Sequence, residues 1–143
     1  MKWVKLYEDF DDVDTIIANL NHICFELNDN GIRTECSHKV PSKKYAPLPG
    51  QREHISVVIG ESYITGDLPF ADYIEELTFG KIQYVVSWII NYMKSCRWKP
   101  SYVIVDGESY HIEKDTENVI LWFVNHFKPE SVLCDLKIDF IRE

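Results

Sequence analysis

The sequence predicts an α+β fold: about three amphipathic helices packed on a sheet of roughly five or six short strands, with a mixed α/β layer as the alternative. Three observations predict it. Apolar residues recur at spacings of three and four in three separate segments, the pattern of a helix with one buried face. Short segments between them alternate or run continuously apolar, as strands do. Gly, Pro and Asn punctuate the joints. At 143 residues and 45% hydrophobic content, the chain fits one globular domain over 1–143. A domain of that size buries roughly 70% of its unfolded surface, so its core needs no disulfide or metal staple.

Trp3-Val4-Lys5-Leu6-Tyr7 alternates and reads as a first short strand. Val13, Ile16, Ile17, Leu20, Ile23, Cys24 and Leu27 then form one helical stripe. Asp11 is the expected N-cap, because a carboxylate there accepts from free backbone N–H groups. Asn30-Gly31 is the expected stop. Ile32 to His38 reads as a strand, and residues 39–53 as a Pro-rich basic loop holding Pro41, Pro47, Pro49 and Gly50. His54 to Gly60 is nearly continuous in apolar character, which predicts a strand buried on both faces.

Leu68-Pro69-Phe70 opens a short predicted helix ending near Leu77. The strongest helical pattern follows, in Ile82, Val85, Val86, Ile89, Ile90 and Met93, with Pro100 preventing its continuation. Tyr102 to Val105, Asp106-Gly107 and Glu108 to Glu113 read as a hairpin, since Asp-Gly suits the two positive-φ positions of a type I′ turn. Asp115 or Thr116 caps a third main helix with Val119, Ile120, Phe123, Val124 and Phe127 on its face. In the last segment Cys134, Leu136, Ile138 and Phe140 point one way, and Asp135, Lys137 and Asp139 the other. That predicts a strand with one wet face. The pairing order of the strands does not follow from the pattern.

Charge narrows the function. The net charge is −8. Residues 1–30 hold seven acids and two bases, residues 31–54 two acids and five bases, and residues 55–143 fourteen acids and eight bases. Such a surface is a poor partner for nucleic acid, which needs clustered Lys and Arg. No apolar run approaches the ~18 residues that span a bilayer, and the charged start Met1 to Glu8 has no export-signal core. A cytoplasmic location is therefore expected, with Cys24, Cys36, Cys96 and Cys134 as reduced thiols. Cys24 and Cys134 are expected on apolar faces.

The favoured function is a small acidic inhibitor that binds a protein rather than a catalyst. An immunity protein that neutralises a cognate bacterial toxin, such as a nuclease, is the concrete form. Electrostatic steering would bring the basic toxin domain onto the acids and occlude its cleft. The candidate partner-binding residues are Glu8, Asp9, Asp12 and Asp14 in one cluster and Asp72, Glu75 and Glu76 in another. Part of the first cluster has a simpler use, because acids at a helix N-terminus are stabilised by its dipole. Trp88, Trp98 and Trp122 are either interface anchors or members of wider buried faces. The alternative function is a small hydrolase or transferase using Cys36, His38 and His54, or the hairpin residues Asp106, Glu108 and His111. No cofactor and no metal site is expected, and the oligomeric state is left open.

Overall fold

The structure is a computed structural model that describes residues 12–40, 53–60, 77–112 and 118–142. Within them lie three helices and seven strands: α1 (Val13–Asp29), β1 (Thr34–Lys39), β2 (His54–Gly60), β3 (Leu77–Thr78), α2 (Phe79–Ser95), β4 (Trp98–Val105), β5 (Glu108–His111), α3 (Val119–His126), β6 (Val132–Leu133) and β7 (Asp135–Arg142). The main sheet has the order β1-β2-β7-β4-β5 and is antiparallel at every pairing. A small second sheet joins β3 to β6. This is the α+β class that the periodicities predict.

The helices cover one face of the main sheet. Ile55, Val57 and Ile59 of β2, Val103 and Val105 of β4, and Leu136, Ile138 and Phe140 of β7 meet Ile16, Leu20 and Leu27 of α1 and Ile82, Val85, Ile89 and Met93 of α2 in one core. Each such side chain, removed from water, stabilises the fold by roughly 1.5–3 kcal/mol. The alternation of strand side chains places Ser56, Val58, Tyr102, Ile104, Lys137, Asp139 and Ile141 on the opposite face.

Several boundaries differ from the sequence expectation. Asp12, not Asp11, caps α1: its carboxylate accepts from the Asp14 N–H at 3.0 Å and from the Thr15 hydroxyl at 3.3 Å. Asn118 caps α3 by accepting from the Leu121 N–H, rather than Asp115 or Thr116. Leu77 belongs to β3, paired with Leu133, instead of ending a helix. Pro100 does not end α2 but lies within β4 at a register shift; the helix stops earlier, and Arg97 at φ 65 turns the chain. The strand from Trp3, the 39–53 loop beyond Val40 and the helix from Leu68 lie outside the described residues, apart from Glu53.

The last strand needs the largest correction. β7 is central, flanked by β2 and β4. Its alternation holds from Leu136 to Phe140, with Lys137 and Asp139 half-buried between buried apolar residues, but the expected wet face is only partly wet: Ile141 is buried, and Asp139 accepts from the buried Ser56 hydroxyl at 2.6 Å. Asp135 is buried and Cys134 exposed, the reverse of the alternation. Cys134 lies before the strand begins, in a bend where the pleat does not set side-chain direction.

Candidate protein-binding face

Of the acids predicted to meet a partner, Glu8, Asp9, Asp72, Glu75 and Glu76 lie outside the described residues. Asp12 is committed to capping α1. Asp14 is exposed in the first turn of α1.

The residues of the catalytic alternative do not come together. Cys36 and His38 pair with Val57 and Ile55, so both sit on the core side of β1. His54 pairs with Lys39 and lies on the far side of the sheet. The Cys36 thiol faces Cys24, and that contact together with burial pushes its pKa up, away from thiolate formation. His38 Nε2 stands 3.3 Å from a Glu53 carboxylate oxygen without hydrogen-bond alignment. In the hairpin, Asp106 and Gly107 adopt positive φ, as the turn requires. The Asp106 carboxylate is occupied by two backbone N–H groups, those of Cys134 and Asp135. Glu108 accepts from the Tyr110 hydroxyl, while His111 stacks on Tyr102 across the opposite face. Three acid–base residue types therefore point three ways. Among the described residues, no three His, Cys, Asp or Glu side chains gather as metal ligands.

A different surface is built where α1 packs beside α2. The Asn19 amide donates to the Tyr92 hydroxyl at 2.8 Å. One end away, the Tyr84 phenol faces the Glu26 carboxylate. These two ties run Asn19 with Tyr92 and Glu26 with Tyr84, so the helices are antiparallel. Trp88 lies one turn from Tyr84 and one turn from Tyr92 in α2. Tyr84, Trp88 and Tyr92 follow one another at four-residue spacing, which places them on one flank of α2, away from the Val85, Val86 and Ile89 stripe.

That flank is open. Trp88 is 51% exposed and Tyr84 38%; Phe25 of α1, on the side of that helix away from its buried stripe, is 64% exposed. The rings of Tyr84 and Trp88 meet edge to face, 5.2 Å apart at 86°. Incomplete hydration from packing, and then the Glu26 charge, hold the Tyr84 phenol above its usual pKa range. Tyr92, deeper in the seam, is pushed up to about 12, mainly by burial. Helix α1 carries Asp14, Glu26 and Asp29 and no Lys or Arg. Among the described residues no cationic side chain pairs with those three acids. Lys81 lies one turn before Tyr84 on α2, and Lys94 lies in its last turn.

The other tryptophans are used differently. Trp98 is a core residue, capped by the Arg142 guanidinium 4.7 Å from its ring. Trp122 is half-buried, stacked on His126 at 4.1 Å and edge-on to Tyr110. Sequence reasoning singled out Trp88 but missed Phe25, Tyr84 and Glu26. The signal was present: Phe25 lies opposite the α1 stripe, and Tyr84 is one turn before Trp88.

No protein-family model, curated protein or solved structure matches this chain. No helix among the described residues is long and apolar enough to cross a membrane.

Proposed function

We propose that this protein is a protein-binding inhibitor that docks a basic partner on the α1–α2 face, in the manner of an immunity protein occluding a toxin domain. The observation that carries this reading is an acid beside exposed aromatics, Glu26 with Tyr84 and Trp88, where no described cationic side chain pairs with the acids of α1. Glu26 faces Tyr84, one turn from the exposed Trp88, and lies on a helix whose other acids are Asp14 and Asp29 and which carries no Lys or Arg. Helix capping accounts for Asp12 but not for Glu26 or Asp29, which lie near the C-terminal end of α1. There the dipole disfavours negative charge. Exposed Trp and Tyr supply the apolar anchors that dominate binding energy, and the acids supply steering and register. A second copy of this chain is a poor occupant, because it would bring the same acids against one another.

The test is binding to a basic toxin domain encoded beside this gene. Association is expected to weaken by at least about tenfold between roughly 0.05 and 0.5 M salt, since screening removes steering between exposed charges. The combined variant Asp14→Asn, Glu26→Gln, Asp29→Asn is expected to slow association without unfolding. Salt-insensitive binding, or equal binding by the variant, overturns the reading.

A further inference from the structure

We propose that Tyr84, Trp88 and Glu26 form a receptor for one arginine side chain of the partner, an inference that rests on the docking face above. An edge-to-face pair leaves two ring faces meeting as a corner. Here Trp88 is half exposed and Tyr84 over a third exposed, with ring centroids 5.2 Å apart, so solvent reaches the corner. A guanidinium is planar, weakly hydrated and drawn to the negative face of an indole or phenol ring. Glu26 supplies the matching anion at the edge of the corner, where it faces Tyr84 across the helix seam. A stacked guanidinium can direct its N–H groups to that carboxylate while its plane lies on Trp88.

The site is also held in place before anything binds. The Asn19–Tyr92 bond fixes α1 against α2 one turn beyond Trp88. Below the corner, Val85 and Ile89 are fully buried, so the backbone that carries Tyr84 and Trp88 is anchored in the core. Little ordering remains for the partner to supply, which favours affinity. A lysine ammonium would take the charge contact but has no plane to stack, so arginine is the better occupant.

The experiment titrates the full chain with two probes, a deca-arginine peptide and a deca-lysine peptide, following tryptophan fluorescence and, separately, calorimetric heat. Deca-arginine is expected to change the fluorescence saturably, and Trp88→Phe to remove that change. Trp88→Ala and Glu26→Gln are each expected to weaken deca-arginine binding by about three- to tenfold, with the circular dichroism spectrum retained. Deca-lysine is expected to bind more weakly and to lose less in Trp88→Ala. If Trp88→Ala binds deca-arginine as the wild type does while the triple acid variant loses it, the corner is overturned and the acidic docking face stands. If neither variant weakens binding, or if neither peptide binds at low salt, both readings fall.

Discussion

The Asp106 carboxylate accepts the backbone N–H of Cys134 at 2.7 Å, which ties the β4–β5 turn to the chain entering β7. The same oxygen also accepts from Asp135 at 3.1 Å. One side chain thus satisfies two donors at the point where the last strand joins the sheet. Asp106→Ala removes both bonds and leaves a β-carbon at φ 50, where alanine is strained. The loss is expected to be about 1–3 kcal/mol of unfolding free energy. Asp106→Asn keeps an acceptor oxygen and tolerates the left-handed conformation, so it should lose clearly less. Urea denaturation of both variants checks the order, and equal stability of the two would show that the bonds contribute nothing.

Gly60 sits against the same junction. A β-carbon there would meet the Cys134 carbonyl oxygen at 2.6 Å and the Asp135 Cα at 2.8 Å, with φ at +109. Both neighbours are backbone and cannot swing away. Gly107 also has positive φ, +86, but open space around it. Gly107→Ala therefore pays conformational strain alone, roughly 1–3 kcal/mol. Gly60→Ala adds the collision and should lose more. Thermal unfolding of the pair separates strain from clash, and a Gly60→Ala protein as stable as Gly107→Ala would contradict the close approach.

How much of this was legible beforehand depends on what each residue answers to. The stripes of α1 and α2 follow from local spacing, and the structure places those residues in the core. The two-sided burial of β2 was also readable, because its run of apolar residues leaves no polar face. The alternation of β7 was readable from Leu136 to Phe140, but its Cys134–Asp135 end and its central position were not, because neither is local. Only the sheet order shows that Asp139 faces Ser56 of the neighbouring β2 and that Ile141 is covered. The proposed docking face was half legible. Trp88 stood out as a misplaced aromatic, but the approach of Glu26 to Tyr84 depends on how two helices cross, which no spacing within either helix specifies.

Glu53 gives the fold a modest acid sensitivity. The Arg142 guanidinium donates to its carboxylate, and that bond, the Arg142 charge and a smaller contribution from His38 hold its pKa below the ordinary 4.5, against a weaker opposing effect of burial. A carboxyl group with a depressed folded-state pKa stabilises the fold above its unfolded value. That stabilisation fades as pH falls through the folded value. Glu53→Gln should therefore be less stable than wild type at neutral pH, by under about 1 kcal/mol because the pair is partly exposed. The gap should begin to close below about pH 4.5. Chemical denaturation at several pH values checks this, and a gap that widened in acid would contradict the ion pair.

Thiol chemistry tests the entry to β7 directly. Four cysteines are present, and their surroundings differ. Cys24 and Cys96 are buried, Cys36 is half-buried with its pKa raised, and Cys134 is exposed. Thiolate is the reactive species, so alkylation needs both access and ionisation. Cys134 has access. Cys36 is held back by its contact with Cys24 and by burial, while Cys24 and Cys96 wait for unfolding. A native sample treated with iodoacetamide at about pH 8, near the ordinary thiol pKa, should modify one cysteine quickly, and peptide mapping should place it at Cys134. Cys134→Ser should abolish the fast phase and leave stability within about 0.5 kcal/mol, as surface substitutions usually do. Rapid labelling at Cys36 instead would mean that β1 opens away from α1 in the native state, and slow labelling at Cys134 that the bend before β7 is covered.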